Sequence, residues 1–300
     1  MSERVERGCT IVVAAPTPFM ANGAADLAGL KSNIARWVEA GVDGVLVLGS
    51  TGEAIHLDDS ESDQVIAAAR EALPADRELY VGTGRSTTAA TIRQSLRAAE
   101  LGADIALVLT PHYYKQDMTD AALGRFYTAV ANSSRVPVYL YSMPALTGVS
   151  ISAGLAAQLS SHARIAGLKD SSGDVAGLFE RVEACPSEFR IVSGSARAVY
   201  PALAAGVRGS ILAIACVAPE IAVEAHRAWA HGDADASRRA SATLARLSAR
   251  LSPLGIPGLK AAMTVRGYAG GICRQPLSFD FKAMRDVESA LAEAGLSDRS

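Results

Sequence analysis

The sequence predicts a (β/α)8 barrel followed by a C-terminal helical extension, and three observations predict it. Eight short apolar, β-branched runs recur at intervals of roughly 20 to 30 residues. Each is followed by a longer Ala-rich segment with helical spacing, the alternation of a parallel sheet. Beyond residue 232 the pattern changes to helices alone.

In chain order, runs at 10–14, 44–48, 78–82, 105–109, 136–141, 165–169, 189–193 and 207–212 read as strands, because a parallel strand covered on both faces is apolar throughout. The segments near 26–40, 58–72, 87–101, 119–131, 150–161, 174–184, 197–205 and 219–231 read as helices, several opening on a capping residue: Asp58, Thr87, Thr119 or Ser150. Eight units close a barrel. A doubly wound open sheet is the structural alternative, disfavoured because no G-x-G-x-x-G turn follows the first run. Helices near 233–251, 258–267 and 280–295 form the extension, separated by Pro253, Pro257 and the Gly270-Gly271 pair. The expected division is a barrel over 1–232 and an extension over 233–300, too short to stand alone and so packed on the barrel or on another subunit.

The composition, 49% hydrophobic and 20% charged, supplies a large core, and a net charge of -2 without a basic run offers no footprint for nucleic acid or an anionic membrane. The expected partner is a small molecule or another subunit. Residues 1–7 are too charged for a signal-peptide core, and no apolar run approaches the roughly 20 residues of a membrane helix, so the chain reads as cytoplasmic. Cys9, Cys185, Cys216 and Cys273 form no C-x-x-C pair. His56, His112, His162, His226 and His231 show no ligand spacing either, so neither metal nor cofactor is expected.

In such barrels functional groups gather where strands end at their C-terminal side. Lys169 stands out there, ending an apolar run in a chain that otherwise uses arginine for most of its positive charge. Burial at that point would favour the neutral amine that attack on a ketone requires. A lysine snorkelling at the strand mouth, or paired with Asp170, is the alternative, and the position alone leaves both open. Lys31, Lys115, Lys260 and Lys282 are expected to stay protonated and solvated. Gly49-Ser50-Thr51-Gly52 offers small residues, converging N–H groups and two hydroxyls, a possible carboxylate cradle or simply a turn. Tyr141 ends the neighbouring fifth run, where its phenol could relay a proton, or be a buried structural tyrosine. Nucleophile, phenol and cradle at three strand ends together fit an imine-forming site.

At these residues the chain resembles the dihydrodipicolinate synthase and N-acetylneuraminate lyase superfamily of class I Schiff-base enzymes. The likeness runs from Pro16-Thr17-Pro18-Phe19 through Gly49-Ser50-Thr51-Gly52-Glu53, Pro111-His112-Tyr113-Tyr114, Tyr141 and Gly167-Leu168-Lys169-Asp170-Ser171-Ser172 to Gly255-Ile256-Pro257-Gly258-Leu259-Lys260. The resemblance implies Lys169 as the imine lysine and Tyr141 as the proton relay. It implies Ser50 and Thr51 as carboxylate binders that also link the tyrosines, and Tyr113 as a phenol lent by a neighbouring subunit. Gly194 and Ile211 match positions lining the pocket, and a homotetramer built as a dimer of dimers is implied.

Departures from the family pattern narrow the substrate. Members that make dihydrodipicolinate carry an arginine where Tyr141-Ser142-Met143-Pro144-Ala145-Leu146 places Leu146, and a buried carboxylate without its cation is costly. Sialic acid lyases place an acidic pair after the seventh strand, where Ser193-Gly194-Ser195-Ala196 has none. The likeness is nearest to 4-hydroxy-2-oxoglutarate aldolases, in which Ser171 would help bind the second carboxylate and the products are pyruvate and glyoxylate. Thr51 departs from the asparagine of some such aldolases. A 2-keto-3-deoxy sugar acid aldolase or dehydratase and a dihydrodipicolinate synthase-like enzyme are the other enzymatic expectations. A non-catalytic 2-oxo-acid-binding regulator is the non-enzymatic one.

Overall fold

The computed structural model describes residues 9–296; residues 1–7, read above as unlike a signal-peptide core, lie outside them. Eight parallel strands close on themselves in chain order: β1 Thr10–Ala14, β2 Gly44–Val47, β3 Glu78–Gly82, β4 Ile105–Leu109, β5 Val138–Ser142, β6 Ile165–Asp170, β7 Arg190–Ser193 and β8 Gly209–Leu212. Closure is made by β1 on β8, with Val12 opposite Ile211. The helices are α1 Leu27–Ala40, α2 Asp59–Ala72, α3 Thr88–Glu100, α4 Asp120–Ser133, α5 Pro144–Thr147, α6 Ala153–Ser160, α7 Val175–Ala184, α8 Val199–Ala204, α9 Pro219–Ala230, α10 Ala234–Leu251, α11 Gly255–Val265 and α12 Met284–Glu293.

The (β/α)8 barrel and the following helices are as the sequence predicts, and the differences have local causes. Asp58, Thr87 and Thr119 cap α2, α3 and α4, but Ser152, not Ser150, caps the helix expected from 150, its hydroxyl accepting Leu155 N–H at 3.0 Å. Ile151, between the two serines, is buried, so the chain stays extended until it has passed inward. The second strand stops at Val47 because Leu48 takes a left-handed φ of 56°. The fifth starts at Val138, just after Pro137, which has no N–H for the ladder. Helix α11 starts at Gly255, three residues earlier than expected, because Pro257 falls in its first turn, where a missing N–H costs nothing.

Two apolar shells hold the barrel. Inside, Val12, Leu46, Tyr80, Leu107, Tyr139, Val192 and Ile211 fill the lumen. Gly167 makes room for Tyr139, since a Cβ there would lie 2.6 Å from the phenol ring. At the N-terminal end Glu78 accepts the Tyr80 hydroxyl at 2.8 Å and faces Arg190 at 3.3 Å, closing the floor with polar groups. Outside, α1, α2, α9, α10, α11 and α12 share one continuous core with β1–β3, so the last helices are packed onto the barrel. No helix among the described residues is long and apolar enough to cross a membrane.

Candidate active site

The C-terminal ends of β2, β5 and β6 carry the groups that matter. Lys169 and Tyr141 are direct neighbours in register, and both point into the lumen. Lys169 is 4% exposed, its Nζ 4.3 Å from the centroid of the Tyr141 ring. Asp170, the next residue, faces the other way: its carboxylate lies 3.5 Å from Arg181 and accepts Ser172 N–H at 2.7 Å. Arg181 in turn donates to the Ile151 carbonyl at 2.7 Å. The alternation of side chains along β6 thus removes the acid that could have neutralised Lys169.

Gly194, after β7, allows this packing. A Cβ at that position would come within 1.9 Å of Ser171 Oγ and 3.0 Å of Lys169 Cε, so the absent side chain is what lets serine and lysine sit together. The Tyr141 phenol is 5% exposed. Burial pushes its ionisation up, yet the net direction is below the usual tyrosine value: the Lys169 cation and hydrogen bonds from Ser50, Ser171 and Lys169 favour the phenolate and outweigh burial. Ser50 from the β2 turn and Ser171 from the β6 end both favour ionisation of this phenol. Thr51 lies half-buried in the same turn, and Ile211 supplies apolar lumen wall from β8.

Tyr113 is not brought to this cluster within the chain. It is 82% exposed and packs edge-on against the also exposed Tyr114, ring centroids 5.1 Å apart. Lys260 corrects an expectation of a solvated amine: it is 1% exposed and its Nζ lies 2.5 Å from Glu53, which closes the Ser50 turn. Residue types alone hid this pair, because the partners are 207 positions apart. Glu53 and Lys260 both stand in segments the sequence singles out, Gly49-Ser50-Thr51-Gly52-Glu53 and Gly255-Ile256-Pro257-Gly258-Leu259-Lys260, which was the available signal. Arg181, a helix arginine among many charged helix residues, had none. No group of three or more His, Cys, Asp or Glu among the described residues is placed to hold a metal ion.

Known proteins share this chain's sequence pattern and fold. A sequence model of the dihydrodipicolinate synthetase family matches residues 8–294. The 4-hydroxy-tetrahydrodipicolinate synthase of Exiguobacterium sp. is 32% identical over 271 residues, covering 89% of this chain and 91% of that protein. Among solved structures, YagE of E. coli K12, a prophage protein of the dihydrodipicolinic acid synthase family in complex with pyruvate, superposes with a TM-score of 0.91 at 28% identity, covering 96% of this chain and 99% of that one. The chloride-inhibited dihydrodipicolinate synthase of Acinetobacter baumannii, also complexed with pyruvate, gives a TM-score of 0.91 at 28% identity, with 96% and 99% covered.

Proposed function

The chain belongs to the dihydrodipicolinate synthetase family, and from that premise we propose that it cleaves a 4-hydroxy-2-oxo acid, foremost 4-hydroxy-2-oxoglutarate, into pyruvate and glyoxylate through an imine on Lys169. It is an enzyme, a Schiff-base carbon–carbon lyase that works with pyruvate. In the proposed reaction the Lys169 amine adds to the C2 carbonyl, and Tyr141 protonates the departing hydroxyl as the imine forms. Tyr141, now a phenolate, takes the proton of the C4 hydroxyl. The C3–C4 bond breaks, its electrons pass into the iminium, and the aldehyde leaves. The remaining enamine is protonated at C3 and hydrolysed to pyruvate and free lysine.

One observation carries this reading: a buried amine lies 4.3 Å from the ring of a buried tyrosine whose ionisation that amine eases, with Ser171 packed beside the lysine around Gly194. In the reading, Ser50 and Thr51 receive the C1 carboxylate, Ser171 helps hold the second carboxylate, and Gly194 and Ile211 line the pocket. Tyr113, exposed in the single chain, lends its phenol to a neighbouring subunit's site in a dimer of dimers. Mixing inactive Tyr113→Phe and Lys169→Ala variants under subunit exchange should restore activity; no recovery in verified mixed dimers contradicts the shared site.

A second reading, condensation of pyruvate with aspartate semialdehyde, is favoured by the name of the Exiguobacterium relative. Against it stands Leu146, 64% exposed on α5 where an arginine would hold that substrate's carboxylate. A panel of 4-hydroxy-2-oxoglutarate, 2-keto-3-deoxygluconate and pyruvate with aspartate semialdehyde, with products identified, separates the readings. Glyoxylate release with the highest kcat/KM is expected. Greater turnover of the sugar acid or of the semialdehyde would replace the proposed substrate.

A further inference from the structure

Two buried charges have no part in the chemistry above. The turn that carries Ser50 and Thr51 is bracketed by Leu48 and Glu53, with φ of 56° and 54°, the two non-glycine residues with left-handed backbone among those described. L side chains resist this conformation, so each must be held there by its surroundings. At Leu48 the conformation needs the space left by Gly82, where a Cβ would lie 1.9 Å from the Leu48 carbonyl oxygen. At Glu53 it is polar. The carboxylate accepts Lys260 Nζ at 2.5 Å and Arg274 N–H at 3.1 Å, and meets His56 Nδ1 at 3.0 Å.

The lysine and arginine ends of these contacts lie outside the barrel. Lys260 sits on α11, donates a second hydrogen bond to the Ile272 carbonyl at 2.7 Å, and stands 4.6 Å above the Phe19 ring. The Arg274 guanidinium stacks 4.5 Å from the same ring and donates to the His56 carbonyl at 2.5 Å, the Gly23 carbonyl at 2.8 Å and the Glu61 carboxylate. An apolar pair of similar volume would fill this space without the desolvation cost of two ions. What the ions add is direction: hydrogen bonds that set the orientation of Glu53, and with it the adjoining turn.

We propose that Lys260 is a positioning residue for the substrate's C1 carboxylate, acting through Glu53 to fix the turn whose Ser50 and Thr51 receive that carboxylate. The proposal rests on the reading of this turn as the carboxylate cradle. Its consequence is a split between binding and chemistry: a loosened turn weakens recognition of the carboxylate but leaves Lys169 and Tyr141 in register on β6 and β5, outside the turn. The C-terminal extension then acts on substrate affinity without touching substrate.

The test is the rate of cyanoborohydride trapping as a function of carbonyl concentration, in wild type, Lys260→Met, Glu53→Gln and Lys260→Arg. Pyruvate is compared with hydroxyacetone, which has a ketone and no carboxylate. Lys260→Met should raise the half-saturating pyruvate concentration about tenfold or more, with the maximal rate within about threefold and hydroxyacetone trapping unchanged. Glu53→Gln, which keeps the shape of the site, should do the same if Lys260→Met fails to fold, and Lys260→Arg should recover part of the loss. Equal losses for both carbonyls, or unchanged half-saturation by pyruvate, overturn the proposal. A Ser50→Ala/Thr51→Val control tells the two failures apart: no pyruvate effect there sinks the cradle reading itself, whereas an effect there with none in Lys260→Met or Glu53→Gln sinks only the role of Lys260.

Discussion

Lys169 and Lys260 are withdrawn from water to nearly the same degree, 4% and 1% exposed, and differ in what they meet there. Lys260 faces a carboxylate at 2.5 Å and a carbonyl at 2.7 Å, a closed ion pair. Lys169 faces the Tyr141 ring with Ser171 close by, while the acid beside it in the chain is turned onto Arg181. Burial alone does not make a nucleophile. The two lysines differ in their neighbours: a carboxylate closes an ion pair with Lys260, whereas a tyrosine stands beside Lys169.

The contrast can be broken at the phenol first. Tyr141→Phe keeps the ring against Lys169 and removes the proton relay, so kcat should fall about 10²- to 10⁴-fold with little change in melting temperature. Phe19→Leu, under the other lysine, should do the reverse, costing about 1 to 3 kcal/mol of stability with kcat within about threefold. Steady-state kinetics and thermal melts on both variants decide it; equal effects on kcat would erase the distinction.

A smaller effect tests the packing beside Lys169. Gly194→Ala forces a methyl group against Ser171 Oγ and Lys169 Cε, and the shift should lower kcat/KM about ten- to a hundredfold. A change below about twofold would mean that position 194 does not set the lysine's place. Subtler still is the coupling between amine and phenol. In Lys169→Met the cation is gone and burial remains, so the Tyr141 phenol, now held below the usual tyrosine value, should ionise at higher pH than in wild type. Ultraviolet difference titration, with Tyr141→Phe as the subtraction, reads that shift; an unchanged titration would show that Lys169 does not act on the phenol.

The barrel was legible because strands covered on both faces leave a period of apolar runs that no loop imitates, as at Val45, Val47, Leu79 and Val81. Lys169 and Tyr141 were legible because a lysine and a tyrosine break such runs at the end where barrels keep their chemistry. The short helix at Pro144–Thr147 was not, since four residues carry no period. Nor was the burial of Lys260: its helix lies beyond the barrel, and its partner, Glu53, is joined to it only by the fold. The strained turn around Ser50 was half visible, as glycines at 49 and 52, but the left-handed backbone falls on Leu48 and Glu53, where side-chain chemistry gives no notice.

The central claim is that of the two buried lysines only Lys169 forms the imine. Incubation with pyruvate and borohydride, followed by peptide mass mapping, measures it directly. The reduced adduct should appear on the fragment containing Gly167-Leu168-Lys169-Asp170, be lost in Lys169→Ala together with activity, and be absent from the fragment containing Lys260. An adduct on Lys260, an unmodified Lys169 at saturating pyruvate, or turnover surviving in Lys169→Ala would contradict the account.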